Sequence, residues 1–160
     1  MNSNFTHFNQ NGDAIMVDVT DKEVTEREAI AKGKIKVNDM VIQEIKQGVN
    51  KKGDVLSVAR IAGILASKKT SELIPLCHTL FISKCSIDFT LNEGEKSIEA
   101  VCTVKTAQKT GVEMEALTGV NIALLTIFDM CKAVDKTMEI TGIHLAYKSG
   151  GKGGLFVNEA

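Results

Sequence analysis

Residues 109–136, KTGVEMEALTGVNIALLTIFDMCKAVDK, contain the pattern that decides the fold of this chain. At 100° per residue, a helix over this stretch has one apolar side and one polar side. The apolar stripe consists of Leu117, Val120, Leu124, Ile127, Cys131 and Val134, and the polar stripe of Thr118, Asn121, Asp129, Lys132 and Lys136. The spacing predicts one long helix with a buried face. Its polar face is either a solvated surface or one wall of a polar pocket.

The segments around this helix alternate between apolar and polar residues, which is typical of half-buried strands. Strands are predicted over residues 15–19, 27–37, 80–91, 97–107 and 138–148, and the turn NEGEK makes a hairpin of the third and fourth. Helices are predicted from Asn38 to Gly48 and over residues 55–67. This order predicts an α+β, ferredoxin-like split β-α-β fold, an antiparallel sheet with its helices on one face. The open face would suit a partner subunit.

The length of 160 residues predicts a single domain over residues 1–160, with an N-terminal arm at 1–13 and a mobile, glycine-rich tail at 149–160. A formal charge of −1 argues against non-specific nucleic-acid binding. We expect no membrane span and no signal peptide. The four cysteines form no C-x-x-C pair, and three of them lie on apolar stripes, namely Cys85, Cys102 and Cys131. We interpret those three as reduced core residues, which favours a cytoplasmic protein.

Two pairs of charged residues on the long helix allow both a structural and a functional interpretation. Asp129 and Lys132 are one turn apart, so they form either an exposed ion pair or, if Lys132 is partly desolvated, an acid–base pair. Glu113 and Glu115 either interact favourably with the helix dipole or bind the N–H edge of a guanine-like ring. The sequence around them leaves both alternatives open.

His78 and several cations are also candidates for ligand binding. His78 is either a hydrogen-bonded structural residue or a ligand of a phosphate or polar group. Each cation could simply be solvated, but together five of them could form a phosphate cradle, namely Arg27, Lys52, Lys132, Lys148 and Lys152. The tail KSGGKGG lacks the spacing and the following helix of a Walker A motif. The residues alone therefore describe a small cytosolic α+β domain with a candidate anion-binding site.

Seven stretches together resemble one family. They are MVDV (16–19), KKGDV (51–55), ARIAGI (59–64), LIPLCH (73–78), KTGVEMEALT (109–118), FDMCKAVDK (128–136) and SGGKGG (149–154). They are similar to the cyclic pyranopterin monophosphate synthases, which act early in molybdenum cofactor biosynthesis. The resemblance implies a lyase that converts (8S)-3′,8-cyclo-7,8-dihydroguanosine 5′-triphosphate into cyclic pyranopterin monophosphate and diphosphate. It also implies a ferredoxin-like fold and a homohexamer of three dimers with the active site at a subunit interface.

The same resemblance implies roles for individual residues. Asp129 and Lys132 match the catalytic helix, and Lys52 matches a lysine that joins them across the interface. The substrate-binding segments match Leu76, Cys77, His78, Glu113, Met114 and Glu115, and polar positions near the site match Asp18 and Arg27. We expect no resident cofactor or metal, although Mg²⁺ could accompany the triphosphate.

The chain departs from the family pattern at four positions, Thr79 for proline, Gly153 for serine, Phe128 for tyrosine and Gln108 for glycine. None of these departures removes a proposed catalytic group, so activity is expected. Two other hypotheses stand beside the lyase. The chain could be a non-catalytic, regulatory module that binds guanine nucleotides, or a structural subunit that binds no ligand.

Overall fold

The computed structural model describes residues 7–9 and 11–158, and these form five strands and four helices. In chain order they are β1 (Thr25–Lys36), α1 (Asp39–Gln47), α2 (Val55–Ser67), α3 (Thr70–Leu73), β2 (Lys84–Asn92), β3 (Ser97–Gln108), α4 (Glu113–Cys131), β4 (Glu139–Ser149) and β5 (Phe156–Val157). The strands form one antiparallel sheet in the order β2-β3-β1-β4-β5. Chain order and strand order together confirm the predicted α+β, ferredoxin-like split β-α-β fold.

Strand β1 shows why the sheet buries only one of its faces. Ala29, Ala31 and Ile35 are fully buried in the core, whereas Lys32 and Lys34 between them remain partly exposed on the opposite face. Successive side chains of a strand alternate between faces, so this pattern separates a helix-covered face from an open one. Helices α2 and α4 pack against the covered face, as the sequence predicts.

The first two helices begin and end where side chains or glycine satisfy their terminal backbone groups. The Asn38 side chain accepts a hydrogen bond from the Val41 N–H at 3.0 Å, and Gly48 ends α1 in the left-handed conformation. The Asp54 side chain caps α2 in the same way, by accepting from the Ser57 N–H at 3.0 Å. These local signals fix the boundaries that the sequence predicts for both helices.

Helices α2 and α4 approach each other most closely at Gly63 and Gly119. A β-carbon on Gly63 would lie 2.7 Å from the carbonyl oxygen of Gly119. A β-carbon on Gly119 would lie 2.5 Å from the Ser67 hydroxyl and 2.7 Å from the Cys102 sulfur. The absence of side chains at these two positions therefore brings the two helices together. Thr118, predicted on the polar stripe, is buried next to this contact, which corrects that assignment.

Helix α4 is shorter than the predicted helix over residues 109–136. At its start, Lys109 is held outside the helix because its carbonyl accepts a hydrogen bond from Arg27, 3.2 Å away. At its end, the Asp135 carboxylate accepts from the Asn38 N–H at 2.8 Å, which turns the chain away. The predicted ends are wrong because both depend on contacts with distant parts of the chain. By length and composition alone α4 could cross a membrane, but it is largely buried as a core helix.

The predicted strand over residues 15–19 is wrong. These residues are described outside any strand, although Val17 and Val19 are half-buried and Asp18 between them is exposed. The alternation thus reflects burial on one side of the segment without sheet pairing.

Part of the predicted arm, residues 1–6 and 10, lies outside the described residues, as do residues 159 and 160. The described tail folds back instead of extending freely, since Phe156 pairs with Lys148 of β4.

All four cysteines are free thiols. Cys102 and Cys131 are buried in the core, and Cys85 is half-buried against it, which agrees with their interpretation as reduced core residues. The fourth, Cys77, lies in the cavity described next.

Candidate active site

A cavity of about 300 Å³ lies at the N-terminal end of α4. It brings together the two predicted substrate-binding segments, because its lining includes Leu76, Cys77, His78, Glu113, Met114 and Glu115. Val17, Val19 and Lys22 also line it. The segment that fails as a strand therefore helps to enclose this candidate site.

The loop that carries Cys77 and His78 is held by hydrogen bonds. The Cys77 N–H donates to the carbonyl of Ile74 at 3.1 Å, which forms a turn directly before His78. Thr79, where the resemblance predicts proline, donates its hydroxyl proton to the Ser71 hydroxyl at 3.1 Å. This bond ties the loop to α3. Threonine therefore lacks the fixed backbone angle of a proline ring but holds the loop with a side-chain hydrogen bond.

The two glutamates at the start of α4 lie in different environments. Glu113 pairs with the ammonium group of Lys148 at 3.3 Å. Glu115 is only 4% exposed, and burial raises the pKa of its carboxyl to about 7. Burial, and then the Glu115 carboxylate, raise the pKa of the Cys77 thiol. Two carboxyls whose environments differ in this way are typical of acid–base sites, and near neutral pH Glu115 can either donate or accept a proton.

A second cluster lies at the C-terminal end of α4. The Asp129 carboxylate is 2.6 Å from the Lys132 Nζ and 3.3 Å from the Lys52 Nζ, and Lys52 also donates to the Asp129 carbonyl at 2.8 Å. The hydrogen bonds from Lys132 and then Lys52 hold the pKa of Asp129 below its ordinary value. Two ammonium groups thus share one carboxylate, which leaves a net positive charge suited to phosphate.

Lys52 reaches this cluster from the loop between α1 and α2. Gly53 has φ of 98°, a left-handed conformation that favours glycine, and the capping Asp54 follows it. The expected meeting of Lys52 with Asp129 across a subunit interface is corrected here, since both belong to one chain. Within that chain Asp129 and Lys132 are more than half exposed, as the ion-pair interpretation predicts.

The remaining predicted cations do not form one phosphate cradle within the chain. Lys148 joins the first cavity through Glu113. Arg27 and Lys152 line a neighbouring cavity of about 620 Å³, whereas Lys52 and Lys132 lie at the other end of α4.

Asp18 lies near the first cavity and is exposed. It accepts a hydrogen bond from the Thr20 N–H at 2.8 Å, and bonds from Thr20 lower its pKa. Sequence reasoning missed Lys22, which lines both cavities; it stands in the polar run DKE, where nothing distinguishes it from a solvated lysine. Within residues 7–9 and 11–158, no group of three or more His, Cys, Asp or Glu side chains is placed to hold a metal ion.

Comparison with known proteins covers the part of the chain that holds both clusters. The model of the MoaC family matches residues 16–151, a range that contains the whole of α4 and the loop carrying Lys52. The chain belongs to the MoaC family. Of the predicted site residues, Lys152 alone falls outside the range that the MoaC family model matches.

Curated relatives match the chain over almost its full length. A cyclic pyranopterin monophosphate synthase of Clostridium botulinum (strain Alaska E43 / Type E3) is 60% identical over 99% of this chain and 100% of its own length. Proteins of the same name from Clostridium perfringens (strain 13 / Type A) and Thermoanaerobacter sp. (strain X514) are 56% and 52% identical, each over 98% of this chain and 99% of their own length. This similarity covers both clusters.

Proposed function

We propose that this chain is a lyase that converts (8S)-3′,8-cyclo-7,8-dihydroguanosine 5′-triphosphate into cyclic pyranopterin monophosphate with release of diphosphate. This reaction is an early step of molybdenum cofactor biosynthesis. The relatives are named for this activity. The observation that carries the proposal is the cavity at the start of α4, where two distant segments bring a thiol, an imidazole and two different carboxyls together.

The cavity suits the ring chemistry of this substrate. Opening the reduced imidazole ring and closing the pyrazine ring both require protons to move at nitrogen and carbon. A buried carboxyl that changes its protonation state near neutral pH can move them, which is the role we assign to Glu115. Glu113, held by Lys148, can accept hydrogen bonds from the N–H edge of the guanine-like ring.

The second cluster suits the phosphate chemistry. Closing the cyclic phosphate requires a sugar hydroxyl to attack the α-phosphorus while diphosphate departs. The ammonium groups of Lys52 and Lys132 can neutralise the charge on the departing diphosphate, and Asp129 holds both in place. We propose that any Mg²⁺ arrives on the triphosphate.

The two clusters are too far apart to serve one substrate within one chain. Glu115 and Asp129 are 14 residues apart on the same helix, which corresponds to about 21 Å along its axis. The ring system of a single substrate cannot contact both ends of α4 at once. We therefore propose that a complete site combines the first cluster of one chain with the second cluster of a neighbouring chain.

An antiparallel pairing of two α4 helices would build such sites. Residues 114 and 132 are equally far along the chain from the buried residue 123. A twofold axis level with that residue, on the exposed side of α4, would place Met114 of each chain opposite Lys132 of its neighbour. Asn121 and Leu125 lie on the same stripe and are exposed, Leu125 to 53%. Covering this leucine with a second copy would remove apolar surface from water. One such dimer would contain two equivalent sites.

We further propose that three of these dimers assemble into a homohexamer and that the protein is cytoplasmic. The four free thiols are consistent with a reducing compartment.

Turnover tests the proposed activity. Incubation with the cyclised nucleotide should release diphosphate, and Lys52→Met and Lys132→Met should each reduce the rate by about a hundredfold or more. Lys46→Met is the matched control, because Lys46 forms an exposed ion pair with Glu93 outside both clusters. Saturable binding without turnover would instead support the regulatory nucleotide-binding module.

Mixing two inactive variants tests whether neighbouring chains share the site. One variant carries His78→Ala with Glu115→Gln, and the other carries Lys132→Met. Random co-assembly of the two should restore about a quarter of wild-type turnover, because half of the dimers then contain one intact site out of two. If each chain formed a complete site by itself, the mixture would remain inactive.

A further inference from the structure

Arg27 contacts the segment that connects β3 to α4. Its Nε donates to the carbonyl of Gln108 at 2.9 Å, and its Nη2 donates to the carbonyl of Lys109 at 3.2 Å. These two consecutive carbonyls lie directly before the turn that leads to Glu113. The planar guanidinium can reach both at once, which a single ammonium group cannot do.

The glycine-rich tail packs against the same side chain. Gly150 and Gly151 both have a left-handed backbone, with φ of 93° and 67°. A β-carbon on Gly150 would collide with the carbonyl of Glu26, and one on Gly151 would collide with the guanidinium of Arg27. Only glycine therefore lets the tail pass this close, which explains a motif that has no role as a phosphate loop.

Both segments held by Arg27 lead to charged groups around the first cavity. The connecting segment leads to Glu113, and the tail follows Lys148, which is the ion-pair partner of Glu113. A β-carbon on Gly153 would lie 3.0 Å from the Lys148 Nζ, so the tail also borders this lysine. Arg27 thus stands between the two chain segments whose side chains meet in that ion pair.

The guanidinium of Arg27 is already engaged by the protein itself. The neighbouring cavity of about 620 Å³ includes the carboxylates of Asp21 and Glu23 as well as Lys22 and Lys152. The two carboxylates offset part of the positive charge of the cations in this cavity. Two N–H donors of Arg27 are already engaged by carbonyls, and its Nη1 packs against Gly151, so little of the guanidinium is left to contact a phosphate.

We infer that Arg27 is a positioning residue, which clamps the β3–α4 connection and the glycine tail so that Glu113 and Lys148 face the substrate ring. This inference rests on the proposed function, and it replaces the expectation that Arg27 itself binds substrate. Arg27 then acts on the substrate only through the positions of Glu113 and Lys148.

Nucleotide binding separates positioning from phosphate contact. GTP and GMP serve as probes for wild type, Arg27→Met and Arg27→Lys. If Arg27 positions the cavity, both variants bind GTP and GMP more weakly than wild type, by the same factor of about tenfold or more. Lysine at this position then does not restore the affinity. A loss confined to GTP, or rescue by lysine, would show phosphate contact and overturn the inference.

Amide hydrogen exchange gives a readout that needs no turnover. In Arg27→Met, exchange at residues 108–112 and 150–153 should accelerate by about tenfold or more, while β2 stays protected. Arg60→Met is the matched control, because Arg60 also donates its Nε to a backbone carbonyl, that of Ile87, but lies away from the cavity. Unchanged exchange in the two segments contradicts the inference even if the wild-type protein proves active. Accelerated exchange supports it even if the proposed lyase activity is absent.

Discussion

Replacing Glu115 by glutamine should stabilise the protein at alkaline pH and change its stability little in mild acid. The Glu115 side chain is 4% exposed, and burial raises its pKa from 4.5 to about 7. Glu113 on the same helix adds a smaller effect in the same direction. Above neutral pH the folded protein must therefore hold a buried carboxylate, which glutamine would replace with a neutral group of similar shape.

The sign and size of the effect follow from proton linkage. The folded state binds the Glu115 proton more tightly than the unfolded state, so stability decreases as pH rises from about 4.5 to about 7. A difference of about 2.5 pKa units corresponds to about 3 kcal/mol, lost in full by pH 8. At pH 5 the loss is under about 1 kcal/mol. Glu115→Gln should therefore raise the free energy of unfolding by about 3 kcal/mol at pH 8 and by under about 1 kcal/mol at pH 5.

Urea unfolding of wild type and variant at pH 5 and pH 8 measures the prediction, at one fixed protein concentration because an oligomer's stability depends on it. The matched control is Glu139→Gln, which removes an exposed carboxylate paired with Lys36 and should give no stabilisation at pH 8. A difference between Glu115→Gln and wild type that stays constant from pH 5 to pH 8 would refute the reasoning. It would mean that Glu115 titrates alike in the folded and unfolded states.

Two further predictions concern the packing and the helix caps. Gly119→Ala should reduce the free energy of unfolding by about 1–3 kcal/mol, because the new β-carbon would lie 2.5 Å from the Ser67 hydroxyl in a filled core. Thermal unfolding measures this change, and the exposed Gly94→Ala is the control that should differ little from wild type. Asp54→Ala should cost about 1 kcal/mol by removing the cap of α2, whereas Asp54→Asn, which preserves the cap's oxygen, should retain most of the stability.

The sequence predicts the fold well where structure is determined locally. The alternation of Ala29, Ala31 and Ile35 with lysines identifies β1, because the burial that causes the pattern acts along the strand itself. The predicted cap at Asn38 likewise depends on a residue three positions away. Alternation at residues 15–19 misleads because one-sided burial against a cavity leaves the same pattern as a half-buried strand.

The site is harder to predict because its contacts join distant parts of the chain. The bond from Arg27 to the Gln108 carbonyl spans 81 residues, and that from Lys52 to Asp129 spans 77. Family resemblance supplies the names and the grouping of most site residues, but it places the contact of Lys52 with Asp129 across a subunit interface, whereas the structure has it within one chain. Only the structure separates the cavity at the start of α4 from the lysine cluster at its end.

The length of α4 has a consequence for how activity depends on assembly. If the two ends of α4 belong to two separate active sites, each completed by a neighbouring chain, an isolated chain contains every reactive group and still catalyses nothing. Output per chain would then vanish on extreme dilution, and a cell could silence the enzyme by lowering its abundance without any dedicated inhibitor.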